Sequence, residues 1–291
     1  MSGNAIHPDT AIDSVHLTVR DVERSVEFYQ QRLGFRVRRA VGGRVALSAG
    51  GPDLVVLWES PAAPRVRGTT GLYHFAVLVP SRLELARSLE HLLDAGTRLT
   101  GASDHLVSEA LYLDDPDGNG IEIYRDRPRS EWSYERGELR MATLPLDVTE
   151  LRSDVNGHGQ PWAGLAPATL LGHIHLHVAD LARAQRFYRD ILGFEQTTSL
   201  GNSAIFLSAG GYHHHIGLNT WAGVGAPPPP PGAIGLRHFV VRVPDPAELD
   251  RVAARALAAG VQAERSDRAL ALSDPSSNRI VLAAGERPRE E

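Results

Sequence analysis

The chain repeats itself, and that constrains its fold more than any single motif. Residues 21–35 read DVERSVEFYQQRLGF and residues 180–194 read DLARAQRFYRDILGF, with Asp, Phe-Tyr, Leu-Gly and Phe in the same places. LSAGG follows at Leu47 to Gly51 and again at Leu207 to Gly211. A repeat fixes which positions are structurally equivalent, so every later argument can compare like with like. Each repeated stretch predicts a helix. Asp21 or Asp180 can cap its start, Val22, Val26, Tyr29 and Leu33 recur at helical spacing, and Gly34 or Gly193 can end it. An alternating strand, SVHLTV or HIHLHV, precedes each one.

A second pattern interleaves with the first. LYHFAVLVP at Leu72 to Pro80 matches LRHFVVRVP at Leu236 to Pro244, and each leads into a Leu- and Ala-rich helix ending at Gly96 or Gly260. The segments ALYLDDPDGNGIEIY and ALALSDPSSNRIVLA then place an Asp-Pro turn between two further strands. Four units result, each ordered strand, helix and three strands. Residues 127–168 carry Pro, Gly and charge without periodicity and read as a long connection. The run Pro227 to Pro231 reads as a stiff surface linker between units three and four.

Composition narrows the function. With 35 acidic and 30 basic residues in 291, the net charge of -5 leaves no electrostatic footprint for nucleic acid or an anionic membrane. The apolar stretches are strand-sized and the start MSGNAIHPDT lacks a secretion signal, so the expected location is the cytoplasm. The absence of cysteine removes disulfides, thiolate catalysis and iron-sulfur clusters, so a metal would need nitrogen and oxygen ligands. Thirteen histidines could supply them, with most, including His7, His91 and His158, expected on solvated surface.

Strand, helix and three-strand units used in fours resemble the vicinal oxygen chelate (VOC) superfamily of glyoxalases, bleomycin-resistance proteins and type I extradiol dioxygenases. The resemblance covers nearly the whole chain. It implies an α+β fold of four βαβββ modules forming two open barrels, with one VOC domain over residues 10–126, a linker over 127–168 and a second VOC domain over 169–285. It further implies that first- and fourth-strand residues face a cavity where a metal can sit. Such a fold does not choose the chemistry, so function must come from the site.

Aligning the first strands by the helix that follows puts Ser14, His74, His173 and His238 at one equivalent position. Aligning the fourth strands by their Asp-Pro turns puts Glu122 opposite Val281, while the odd-numbered units carry WES or HHHIGLN in that region. A non-haem iron that binds both substrate and dioxygen needs two imidazoles and a carboxylate on one face. Pairing modules three and four would join His173 and His238 to Val281, with no anionic ligand. Pairing modules two and three joins His74 and Glu122 to His173. We expect this second arrangement, with His238 a cavity or core histidine and Fe(2+) as the ion, although Mn(2+) accepts the same ligands.

The stretch from His105 to Glu122, HLVSEALYLDDPDGNGIE, resembles the extradiol dioxygenase signature. That signature is a His, five residues, an apolar residue, Tyr, two residues, an acidic residue, Pro, any residue, Gly, three residues and Glu. The one departure is Ser103, two before the His. By this resemblance His105 and Tyr112 line the substrate side of the metal. GGYHHHIGLN is similar to the strand that carries the acid-base histidine in extradiol enzymes. Alignment through its apolar residues gives that role to His214, then His215. Simple alternation puts His213 and His215 on one face and His214 with Ile216 and Leu218 on the other, which a bulge beside the site would reconcile.

These features together resemble the bacterial catechol-2,3-dioxygenase subgroup. The implied activity is extradiol cleavage of a catechol-type substrate with O2, the partners being small molecules, with a homo-oligomer left open. Two rivals are a glyoxalase-like isomerase or lyase using zinc, nickel or manganese, and a non-catalytic drug-binding protein. The first calls for a further carboxylate as base, and the second tolerates loss of the metal.

Overall fold

The computed structural model describes residues 4–156 and 162–285. Module one comprises β1 (Ala11–Val19), α1 (Val22–Gln31), β2 (Arg36–Val41), β3 (Arg44–Ser48) and β4 (Val55–Glu59). Module two comprises β5 (Gly71–Leu78), α2 (Arg82–Asp94), β6 (Gly101–Asp104), β7 (Ser108–Asp114) and β8 (Gly120–Asp126). The connection holds β9 (Tyr134–Glu135), β10 (Glu138–Leu139), β11 (Leu144–Pro145) and α3 (Val148–Ser153). Module three follows with β12 (Leu170–His177), α4 (Leu181–Arg186), β13 (Glu195–Leu200), β14 (Ala204–Ser208) and β15 (Ile216–Asn219). Module four ends the fold with β16 (Gly235–Val243), α5 (Pro246–Ala258), β17 (Ala263–Arg265), β18 (Ala269–Ser273) and β19 (Arg279–Ala284).

Strand order decides which modules share a sheet. One sheet runs β17-β18-β19-β16-β1-β4-β3-β2 and joins modules four and one. The other runs β11-β6-β7-β8-β5-β12-β15-β14-β13 and joins modules two and three, the pairing that the single carboxylate required. First and fourth strands of a module lie side by side and parallel, as in β5 with β8, β12 with β15 and β16 with β19. Their side chains on one face are therefore neighbours, and those are the positions the sequence marks.

Local chemistry explains why the repeated residues recur. Asp21 and Asp180 cap their helices by accepting from the backbone N–H three residues on, and Gly34 and Gly193 take positive φ where those helices end. In module three the helix runs on into a π-helical turn, Phe187–Ile191. Tyr29 donates to the Asp115 carboxylate at 3.1 Å, and Tyr188 donates to Asp274 at 3.1 Å. Asp115 also accepts from the backbone N–H of Asp117 and Asn119 and from Asn119 Nδ2, and Asp274 binds Ser276 and Asn278 in the same way. Each Asp-Pro turn is thereby tied to the first helix of the preceding module, which fixes where β8 and β19 begin. Burial pushes both carboxyls above the usual aspartate value, and the hydrogen bonds from Asn and Tyr partly pull them back. Burial and the adjacent carboxylate raise both tyrosines well above 10.0, so they remain proton donors.

By contact density the chain forms two compact units. One holds the segments up to His16, from Pro64 to Tyr73 and from His173 onward; the other holds Leu17–Ala63 and His74–Gly172. The connection is more structured than its irregular sequence predicts. It forms the β9-β10 hairpin, lays β11 against β6 at the sheet edge and packs α3 on α2. Its short elements are held by partners distant in sequence, such as Arg82 with Asp154, so no periodicity announces them. Among the described residues no helix is long and apolar enough to cross a membrane.

Candidate metal centre

His74 on β5 and Glu122 on β8 are both buried, and their Nε2 and Oε2 atoms lie 3.0 Å apart. Register explains the meeting: Ala76 pairs with Glu122, so His74 sits two residues along the same face. His173 follows Gly172 on β12. At Gly172 a Cβ would stand 1.6 Å from Tyr124 Oη, so only glycine lets β12 start flush against the buried Tyr124, two residues beyond Glu122. His74, Glu122 and His173 offer donor atoms that all lie within 4.8 Å of one another. Donors each about 2.1 Å from one cation stand roughly 3 to 4 Å apart, so small side-chain rotations close the set around an ion. A buried carboxylate flanked by two imidazoles suits a cation, because an anion held from water needs a compensating charge. The donor set of two nitrogens and one oxygen fits a divalent transition metal.

The registers also identify the corresponding positions elsewhere. As Ala76 pairs with Glu122 in module two, His175 pairs with Gly217 in module three and Val240 with Val281 in module four. In module one Val56 takes the place, since it pairs with Ala46, which the LSAGG repeat aligns with Phe206, the partner of Gly217. The carboxylate thus occurs in module two alone, and the WES tripeptide lies beyond the relevant residue. At Gly217 a Cβ would meet His175 Cγ at 2.8 Å, so the imidazole of His175 fills the space a side chain at this position would use. The other sheet has Ser14, Val56, His238 and Val281 at these positions. There the His238 ring stacks on His16 at 4.0 Å, with Ser14 Oγ 3.3 Å from His16 Nε2.

Tyr112 is the cross-strand partner of Glu122, and its ring lies 5.7 Å from that of His74. Its hydroxyl meets His105 Nε2 at 2.7 Å, so the two signature residues form one hydrogen-bonded pair. On the module-three side the His214 ring lies 4.1 Å from that of His173 and its Nδ1 is 2.7 Å from His213 Nδ1. His215 turns elsewhere. Its Nδ1 accepts from Ala209 N–H, and its ring packs near Tyr212 and Phe194.

Residues 213–215 precede β15 as an irregular segment, so neither strict alternation nor a bulge within a strand describes them. The backbone of His215 still reaches both neighbouring strands, its N–H donating to Leu207 O at 2.9 Å and its carbonyl accepting from Ile174 N–H at 3.0 Å, while the His213 carbonyl accepts from Thr197 Oγ1 at 2.7 Å. His7 and His91 are half-buried rather than solvated; His91 stacks on Trp162 and meets the Gln31 carbonyl at 2.7 Å. His158 lies outside the described residues.

Sequence reasoning passed over His175 and His177, although HIHLHV alternates and puts both on the His173 face. In the structure they pack with Tyr73 and Trp221, and His177 Nδ1 donates to Asn219 Oδ1 at 2.7 Å.

Comparison with known proteins agrees with this architecture. The model of the Glyoxalase/Bleomycin resistance protein/Dioxygenase superfamily matches residues 11–123 and 170–282. The chain belongs to this superfamily. It is 46% identical to the "Catechol-2,3-dioxygenase" of Bacillus subtilis (strain 168) over 282 residues, covering 95% of this chain and 98% of that protein. A solved structure from Bacillus subtilis subsp. subtilis str. 168 has a TM-score of 0.67 at 16% identity, over 97% of this chain and 87% of that one. Glyoxalase I from Zea mays has a TM-score of 0.58 at 15% identity, over 95% and 92%. These two likenesses concern the fold alone.

Proposed function

We propose that this VOC protein is an extradiol ring-cleavage dioxygenase that opens a catechol-type substrate with O2, using iron(II) held by His74, Glu122 and His173. The observation that carries the reading is the convergence of these three buried donors at the one carboxylate-bearing position of the repeat. The 46% identity to a protein named for this reaction supports it.

When bound, iron(II) supplies a Lewis acid for the catechol hydroxyls and an electron path between ring and dioxygen. The chain's own groups then bind, orient and move protons. In this reading Tyr112 is the group that meets a substrate oxygen, with His105 behind it, bonded through Nε2 to the Tyr112 hydroxyl and through Nδ1 to the Ala142 carbonyl. His214, whose ring lies tilted beside that of His173, is the group we assign to take and return a proton, with its bond to His213 orienting the ring. His215 is the weaker candidate because its Nδ1 is engaged with the backbone. Phe206, 5.0 Å from His214, gives an apolar wall for an aromatic ring. Insertion of both oxygen atoms opens the ring next to the diol to a hydroxymuconic semialdehyde-type product. A glyoxalase-like reaction is less well served, because Val56, Gly217 and Val281 leave no second carboxylate at the equivalent positions.

The test is anaerobic loading with iron(II), elemental analysis, and oxygen uptake with a small panel of catechols. The wild type is expected to hold one metal and consume oxygen, and Glu122→Ala to lose both. A Glu122→Ala protein that binds aromatic ligands unchanged, beside a wild type inert to every catechol, would replace the enzyme with a binding protein.

A further inference from the structure

A row of rings in module three leads away from the His173 imidazole. His214 lies 4.1 Å from it, Phe206 5.0 Å from His214, His175 5.6 Å from Phe206, and Trp221 5.3 Å from His175. The sheet lays them out in this order. Phe206 on β14 pairs with Gly217 on β15, and Gly217 pairs in turn with His175 on β12. A Cβ at Gly217 would come within 2.8 to 3.1 Å of three His175 ring atoms, so the missing side chain lets the imidazole lie between Phe206 and Trp221. His175 is two residues on from His173 along the same face, roughly 7 Å at the rise of a strand.

The row ends on an exposed aromatic that is nevertheless fixed. Trp221 is 45% exposed, and Tyr73, with its ring 5.1 Å away, is 40% exposed. Trp221 N–H donates to Oδ1 of the fully buried Asn219 at 3.0 Å, the same oxygen that accepts from His177. The turn that follows is closed by Gly223 N–H to Thr220 O at 2.9 Å and tied back to the end of β12 by Gly225 N–H to Ala179 O at 2.8 Å. Tyr73 meets the indole edge-on at 83°, and His175 meets it tilted at 55°. Tryptophan is on average one of the more buried residue types, so a half-exposed indole held this firmly is informative. A rigid ring gives up little freedom when a second ring packs on it, which favours binding.

We propose that Trp221 and the half-buried Phe206 form a subsite for an aromatic substituent, so that the preferred substrate is a catechol carrying a second ring rather than bare catechol. The inference rests on the ring-cleavage reading above and names the substrate class for that same site. A single catechol ring held beside His173 and Phe206 ends short of Trp221. A second ring attached to it extends past His175 and meets the exposed part of the indole. Aromatic rings attract one another at centroid separations of roughly 4.5 to 7 Å, the range in which the successive rings of this row already stand. Trp221 is thereby a specificity-determining residue, remote from the reacting atoms.

Calorimetry on zinc-loaded protein compares catechol with phenyl-substituted catechols and needs no turnover. The wild type is expected to bind a phenylcatechol about tenfold or more tightly than catechol, Trp221→Ala to lower that preference about tenfold, and Trp221→Phe to keep most of it. The same preference in Trp221→Ala as in the wild type overturns the subsite, as does a wild type that favours bare catechol or binds neither compound. In oxygen uptake by the iron-loaded protein, the Trp221→Ala loss should fall on KM for the phenylcatechol, and a loss confined to kcat overturns the assignment. An iron-loaded wild type that consumes no oxygen with any catechol, yet keeps the calorimetric preference and loses it in Trp221→Ala, would refute ring cleavage and leave the aromatic subsite standing.

Discussion

Replacing Gly172 by Ala tests whether backbone packing sets the metal centre. The added methyl would stand 1.6 Å from Tyr124 Oη and 2.7 Å from its Cζ, where ordinary contact begins at 3.4 Å. One partner must retreat by about 1.8 Å. Tyr124 is fully buried and packed with Ala76 and Ala110, so its ring has little room and β12 must give way. Overpacking of this kind costs about 1 to 3 kcal/mol of stability. If His173 ligates the metal as proposed, a shift of that size in β12 carries its imidazole beyond a ligand distance of about 2.1 Å, and metal content should fall about tenfold or more. Urea unfolding and elemental analysis read the two effects separately. Tyr124→Phe removes the closer clash but leaves Cζ at 2.7 Å, so the double variant should recover only part of each loss. If Gly172→Ala keeps wild-type iron content and unfolding midpoint, the close approach of Gly172 to Tyr124 is not what positions His173.

Two further outcomes follow from the repeat. His238→Ala should leave iron content within error of the wild type, because Val56 and Val281 give that sheet no carboxylate; a large loss would mean the ligand set is misassigned. Tyr29→Phe removes a donor to the buried Asp115 and should cost about 2 kcal/mol at neutral pH, read as a lower urea midpoint. Asp115 titrates above its unfolded value, chiefly through burial. Its contribution is complete below the unfolded pKa and drains away as pH rises through the folded one. The Tyr29 hydrogen bond favours the ionised form, so its removal moves that window to higher pH. Equal midpoints across an acid-to-neutral series would show the tyrosine to be dispensable.

The repeat made most of the fold legible. Asp caps, glycine stops and Asp-Pro turns are local signals, and each acts through bonds within a few residues, which is why the modules could be read in order. The candidate ligands were legible for a different reason: strand alternation and register convert sequence position into a face, so one carboxylate among four equivalent positions singles out its partners. His213 to His215 were not legible, because a histidine's direction in an irregular segment depends on contacts such as His215 with Ala209 that no period encodes. Gly217 was hidden as well, since a glycine says nothing until the ring it admits, His175, is in view.

The same topology accounts for both the candidate ligand set and the carbonyl that the connection brings to His105. In the sheet order β8-β5-β12, the chain leaving β8 must travel around β5 before β12 can begin. It first runs the other way, to the opposite edge, where β11 pairs with β6, the strand that leads directly into His105. Leu144 opposite Asp104 and Pro145 opposite Ser103 bring the preceding Ala142 to the His105 side chain. Had modules three and four shared the sheet instead, β8 and β12 would have had no reason to be joined around this edge. The connection between the modules that supply the carboxylate and the imidazoles thus also delivers a backbone carbonyl to the signature histidine, His105. Ala142 acts here through its main chain, which explains why the surrounding side-chain sequence carries no motif for that task.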